Sequence, residues 1–252
     1  TVRQADVAPA EADPAAPPPP LFSDVTAALG PAWAHRETVF EDFDREPLMP
    51  HGVSTLGPAL AVGDVDGDGL DDLFVGGAKT QPAALFRQTG LGFVATGPDP
   101  WRADSLAEDV AAEFFDADGD GDLDLYVGTA GNEFWGEHAT LRDRLYLGDG
   151  AGGFARAPAG ALPDLFVHTG TVAPADVDGD GDTDLFVGGR VVSRAYGEAP
   201  QSALLLNEGR GRFRDATAAW APTLARIGMV SAATWADLDG DGRPDLALAG
   251  EW

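Results

Sequence analysis

The sequence predicts an all-β chain built as part of a β-propeller, and three observations carry that prediction. One acidic segment recurs four times. The copies are spaced 52, 60 and 61 residues apart, counted from Asp64, Asp116, Asp176 and Asp237. Each copy lies between short apolar runs, within a chain rich in turn formers (Gly 33, Pro 19). A period of this size suits four short strands with their connections, which is one propeller blade; the turns of a β-helix would repeat much faster.

The elements follow in order within each repeat. A small or apolar stretch leads into the acidic loop (GPALAVGD, DVAAEFFD, TGTVAPAD, VSAATWAD), and an apolar run follows it (DLFVGG, DLYVGT, DLFVGG, DLALAG). These read as strand, loop and strand. A third strand fits ALFRQ, RLYLGD and ALLLNE, and a glycine turn then leads to a fourth strand that carries Phe93, Phe154 or Phe213. The repeats run at about 58–96, 110–155, 170–217 and 230–252, the last without its third and fourth strands. The expected architecture is therefore a partial ring of about four blades within 21–252.

Residues 1–20 lack aromatics and end in four prolines, which reads as a disordered Pro/Ala-rich linker. FSDVTAAL at 22–29 resembles FRDATAAW at 213–220 and is expected to be an orphan outer strand (21–29), so that one terminus helps to close the ring. Seven blades would need roughly 400 residues. The remaining blades are expected from a longer chain, or the exposed strand edges from self-association.

Composition excludes several function classes. Asp+Glu 42 against Lys+Arg 16 gives a net charge of −26, which argues against nucleic acid and anionic membrane surfaces. No apolar run of about 18 residues is present, so direct membrane insertion is not expected. The absence of cysteine removes thiolate metal sites, disulfides and cysteine nucleophiles. An opening at Thr1 is compatible with an upstream signal segment.

The loops carry the clearest chemistry. Carboxylates stand at positions 1, 3, 5 and 9, with glycine at 4 and 6: Asp64, Asp66, Asp68 and Asp72; Asp116, Asp118, Asp120 and Asp124; Asp176, Asp178, Asp180 and Asp184; Asp237, Asp239, Asp241 and Asp245. Position 7 (Leu70, Asp122, Asp182, Arg243) would offer its carbonyl, and its varied side chains fit a backbone ligand. Two carboxylates about 5 Å apart repel by roughly 3 kcal/mol at an effective dielectric near 20, so an empty compact loop is penalised and a cation removes the cost. Oxygen-only donors on a flexible loop select Ca²⁺, about four ions in all. An EF-hand is excluded: position 12 is Val75, Val127, Val187 or Leu248 where a bidentate Glu is needed, and the flanks are strand-like.

The pattern G/A-D-x-D-G-D-G-x-x-D-L-x-V-G resembles the FG-GAP/VCBS repeat of integrin α-subunit propellers and exported bacterial proteins. FSDVTAALG, HRETVFEDF, GNEF, RDRLYLGDGAGGF and GGRVVSRAYGEAPQSALLLNEG further resemble the N-terminal part of bacterial ASPIC/UnbV proteins, relatives of cartilage acidic protein. The resemblance implies Ca²⁺ at aspartates 1, 3, 5 and 9 and at carbonyl 7, and ligand binding on the face opposite the loops. It also implies a location outside the cell or in the bacterial envelope.

That opposite face would include two long connections between second and third strands, 132–143 and 190–201. Trp135, His138, Arg194 and Tyr196 are its candidate contacts for a protein or carbohydrate ligand, with Trp101 and Arg102 from a blade connector. Trp220, Trp235 and Phe115 are expected in the core. HRETVFEDFD, with His35, Glu37, Glu41, Asp42 and Asp44, reads as a solvated loop or an extra cation site, and less readily as a glycosidase carboxylate pair. The expected function is a calcium-binding exported scaffold for binding or adhesion. The alternatives are the propeller of a polysaccharide-active lyase or hydrolase, and a purely structural module. No catalytic motif is found: the four histidines are scattered, and neither G-x-S-x-G nor a phosphate-cradling loop occurs.

Overall fold

Short apolar runs such as LAVG and LFVGG form the strands: the first alternates exposed and buried residues at a blade edge, while the second is buried on both faces at the blade centre. The computed structural model describes residues 21–30, 33–97 and 100–251. The linker expected over 1–20 lies outside the described residues. The first sheet has strands β1 (Leu60–Gly63), β2 (Asp72–Val75), β3 (Ala84–Thr89) and β4 (Gly92–Ala95). The second has β5 (Glu108–Phe115), β6 (Asp124–Ala130), β7 (Arg144–Gly148) and β8 (Phe154–Arg156). The third has β9 (His168–Ala175), β10 (Asp184–Val191), β11 (Ala203–Asn207) and β12 (Phe213–Asp215). The fourth pairs β13 (Val230–Ala236) with β14 (Asp245–Gly250).

Every sheet is an antiparallel meander in chain order, so the architecture is a partial β-propeller of three four-stranded blades and one two-stranded blade among the described residues. Register is the same at each acidic loop. The residue before its first aspartate faces its ninth: Gly63 with Asp72, Phe115 with Asp124, Ala175 with Asp184 and Ala236 with Asp245. The first strands pack side by side, β1 on β5, β5 on β9 and β9 on β13.

The core lies between blades. Phe74, Leu85 and Trp101 meet Leu125, Val127 and Tyr146 between the first two. Tyr126 and Leu145 meet Leu185, Leu205 and Phe213 between the second and third. Glycine ends the apolar run of the second strand in the first three blades because the next blade's first strand comes so close. A Cβ at Gly76 would sit 2.7 Å from Asp109 Cβ, one at Gly128 2.6 Å from Thr169 Cγ2, and one at Gly188 2.9 Å from Val230 Cγ1.

Three expectations are corrected. The segment 22–29 forms no strand; Thr26–Leu29 is a helical turn, α1. It packs on β4 of the first blade, and the last blade, which it was expected to complete, pairs β13 with β14 alone among the described residues. The likeness to 213–220 reports a shared turn instead: Asp24 Oδ1 accepts the Thr26 amide and Asp215 Oδ1 the Thr217 amide, each at 2.9 Å, and Thr217–Trp220 is likewise a helical turn. Trp101, expected at the ligand face, is buried. Its ring lies 5.2 Å from Phe74 and 4.8 Å from Tyr146, wedged between the first two blades. Trp220, expected in the core, is 52% exposed, whereas Phe115 is buried and Trp235 is half-buried with Nε1 donating to Ala173 O at 3.0 Å.

Candidate metal centres and the opposite face

Each acidic loop joins the first strand of its blade to the second, and its two glycines (Gly67 and Gly69 in the first loop) take positive φ, curling the backbone around the side chains. The carboxylate at position 1 then caps the turn from within. Asp64 Oδ1 accepts Gly67 N at 2.8 Å and Oδ2 accepts Gly69 N at 2.9 Å. Asp116, Asp176 and Asp237 do the same in their own loops.

The aspartate at position 9 is a bolt between strands. Asp124 Oδ2 accepts Ala117 N at 2.7 Å and Oδ1 accepts Gly148 N at 2.8 Å, tying the loop to the third strand; Asp72 and Asp184 repeat this with Val65 and Gln88 and with Val177 and Asn207. All three are fully buried.

Positions 1, 3 and 9 come together in every loop. Asp64, Asp66 and Asp72, and the corresponding three in each other loop, offer oxygens within 4.8 Å of one another. Position 5 is not drawn into these triads. Asp68, Asp120, Asp180 and Asp241 each accept the amide of position 7 at 2.9 Å. The first loop also differs from the others, because Arg87 of β3 forms an ion pair with Asp66.

Crowding shows in the titration. Burial, with neighbouring loop carboxylates adding, raises Asp72, Asp118, Asp178 and Asp184 above the usual carboxylate range and pushes Asp124 up to about 6. Converging oxygens with raised proton affinity, on loops that in the second and third blades carry no basic residue, form a donor set that fits a hard divalent ion.

Comparison with known proteins agrees with this geometry. The family model described as FG-GAP-like repeat matches residues 64–127, 130–187 and 191–248, so each match begins at or before a loop or second–third strand connection. The chain belongs to the FG-GAP-like repeat family. A search of curated proteins finds no match. Among solved structures, the chain is similar to one described as the structural basis of specific recognition of non-reducing terminal N-acetylglucosamine by an Agrocybe aegerita lectin, at 22% identity and a TM-score of 0.46. The likeness covers 76% of this chain and 46% of that one, so the chain spans about half the length of that structure.

On the other face of the FG-GAP-like blades, the segment 33–56 crosses three of them, a feature that sequence reasoning missed. Gln81 of the first blade holds Ala34 O and Arg36 N. Asp42, on the helical turn α2 (Asp42–Arg45), is buried and accepts Val53 N and Ser54 N at 3.1 Å, Ser54 Oγ at 2.7 Å and Asn132 Nδ2 at 2.9 Å. Glu46 accepts the amides of Arg194 and Tyr196 from the third blade at 3.0 and 3.1 Å. The acidic run HRETVFEDFD is therefore no simple solvated loop: Asp42 is a structural fastener. Asn132, the fully buried polar residue that meets Asp42, carried no motif that could have flagged it.

The structure brings Trp135 and Arg194 together. The Arg194 guanidinium lies 3.8 Å from the Trp135 ring centroid and that of Arg45 4.9 Å away, while Trp135 stays 46% exposed. His138 stacks on Phe134 at 4.3 Å, Tyr196 Oη donates to Glu251 at 2.7 Å, and Arg102 is exposed on the connector away from that cluster's contacts. A groove of about 500 Å³ runs between the two long connections, lined by Glu137, His168, Ser193, Glu198 and Arg226 among others.

Proposed function

We propose that this FG-GAP-like chain is an exported, calcium-loaded propeller scaffold that presents a protein- or carbohydrate-binding face. The observation that carries the reading is the recurrence of one triad, positions 1, 3 and 9, in all four loops with the same backbone hydrogen bonds. In this reading Ca²⁺ binds these carboxylates, with Asp68, Asp120, Asp180 and Asp241 turning in and the carbonyls of Leu70, Asp122, Asp182 and Arg243 completing the shell. The ion screens the mutual repulsion of the carboxylates and so contributes to folding by mass action. The resemblance to repeats of exported proteins supports the export reading, and extracellular calcium would load loops of even moderate affinity. The phrases quoted above support kinship with the ASPIC/UnbV group.

Recognition is assigned to the face opposite the loops, where Trp135 between Arg45 and Arg194 offers an aromatic surface flanked by cations beside the groove. The two guanidiniums held against the ring suit a carboxylate-bearing sugar or an acidic peptide. The test is calorimetric titration of Ca²⁺ into the chelated chain, followed by glycan and peptide arrays with the Ca²⁺-loaded protein. About four equivalents of Ca²⁺ and an array signal lost in Trp135→Ala are expected. Absence of calcium binding sinks the scaffold reading, and an array signal indifferent to Trp135 sinks the assignment of the face.

A further inference from the structure

We propose that His35, Glu37 and Glu108 form a separate binding site for a first-row transition cation of the Zn²⁺ type, which would clamp the 33–56 segment onto the second blade. The three side chains offer ligand atoms within 4.8 Å of one another. Glu108 opens β5 at the end remote from the acidic loop, so the site lies on the opposite face and shares no residue with the calcium loops.

Two observations beyond proximity point to a ligand. Glu108 is only 3% exposed, and while its Oε2 accepts Lys79 N at 3.1 Å, its Oε1 has no hydrogen-bond partner. His35 Nδ1 is likewise buried without a partner, while Nε2 meets Glu37 Oε1 at 2.6 Å. A buried carboxylate oxygen left without a donor is costly unless something occupies the space it faces. The backbone passes close to both side chains here: a Cβ at Gly57 would lie 2.8 Å from Asp109 O, 3.3 Å from Glu108 Oε1 and 3.6 Å from His35 Cε1. Glu133 and Asp109 are further carboxylates whose charge is felt at Glu108, although Arg144 pairs with Asp109 and Lys79 acts on Glu133.

Donor chemistry separates this site from the loops. One imidazole nitrogen with two carboxylates favours a borderline ion such as Zn²⁺ over Ca²⁺, which takes oxygen alone. Because His35 and Glu37 belong to the crossing segment and Glu108 to the second blade, an ion there joins two parts of the chain beside the hydrogen bonds of Gln81 to Ala34 and Arg36.

The experiment is titration of Zn²⁺ into the full chain with Ca²⁺ saturating, followed by Co²⁺ absorption spectroscopy to identify a nitrogen-bearing site. One equivalent beyond the calcium stoichiometry is expected. Its affinity should fall by at least about tenfold in His35→Ala and in Glu108→Gln. Glu37→Gln, at an exposed position, gives the same loss in a chain whose folding is not in question. Absence of stoichiometric Zn²⁺ binding overturns the proposal, as does binding unchanged by His35→Ala or Glu37→Gln, which would place the ion at His51, His138 or His168.

Discussion

The amide of Gly152, in the turn between β7 and β8, donates to the carbonyl of Val65, the second residue of the preceding blade's acidic loop, at 3.0 Å. Gly211 repeats the contact one blade later, donating to Ala117 at 3.0 Å, and Asn207 Nδ2 reaches the same carbonyl at 2.9 Å. The first two loops are thus joints between blades as well as hairpin connections. Whatever orders the loop also orders the next blade's turn.

Calcium removal should therefore loosen the joints between blades. With EDTA the melting temperature is expected to fall, since a site held at a hundred times its Kd contributes about 2.7 kcal/mol. Hydrogen exchange should quicken at the Gly152 and Gly211 amides together with the loops. Unchanged protection at those two amides would separate ion binding from blade contact.

Positions 5 and 9 of one loop should behave differently. Asp124→Ala leaves the amides of Ala117 and Gly148 without acceptors in a buried place, at a cost of about 2–4 kcal/mol even in EDTA. Asp120→Ala removes only an exposed acceptor for its own loop, so in EDTA it should melt near wild type and differ only when Ca²⁺ is present. Chemical denaturation with and without Ca²⁺ reads both.

Gly128→Ala should destabilise the chain by about 1–3 kcal/mol, because the new methyl would meet Thr169 Cγ2 at 2.6 Å across the contact between blades two and three. Thr169→Ser removes that methyl and keeps the hydroxyl that donates to Asp143 at 2.6 Å. The double variant should recover part of the loss, and a double-mutant cycle measures how much.

Acid should act through His168, which is buried at the start of β9 and whose pKa burial pushes down to about 4. The folded chain prefers the neutral ring, so its contribution is present above about pH 6.5 and is lost as pH falls toward 4, to a total of about 3 kcal/mol. In EDTA, to remove the effect of proton competition at bound calcium, His168→Gln should flatten the stability profile between pH 6.5 and 4. An unchanged slope would assign the loss to other groups.

Much of this molecule was legible because its information is local and repeated. A nine-residue loop with alternating aspartates and two glycines curls its carboxylates inward, so the spacing announced a convergence of Asp64, Asp66, Asp68 and Asp72, of which Asp68 instead accepts the amide of Leu70. Strand order followed as well, since short glycine turns leave a meander as the simple solution. The D-x-T turn at Asp24 and Asp215 misled because the same side-chain-to-amide bond can close a strand or stand alone.

What the chain order could not reveal depends on contacts between distant residues. Trp101 is a wedge and Trp135 a surface residue although both are tryptophans in connections, because only the first faces the gap between two sheets. Asp42 looked like one member of an acidic run, yet its four donors come from residues 11 to 90 positions away. Local periodicity thus decided the blades and their loops. The burial of particular side chains, set by how blades and the 33–56 segment pack, decided which charges became fasteners and which were left facing an open site.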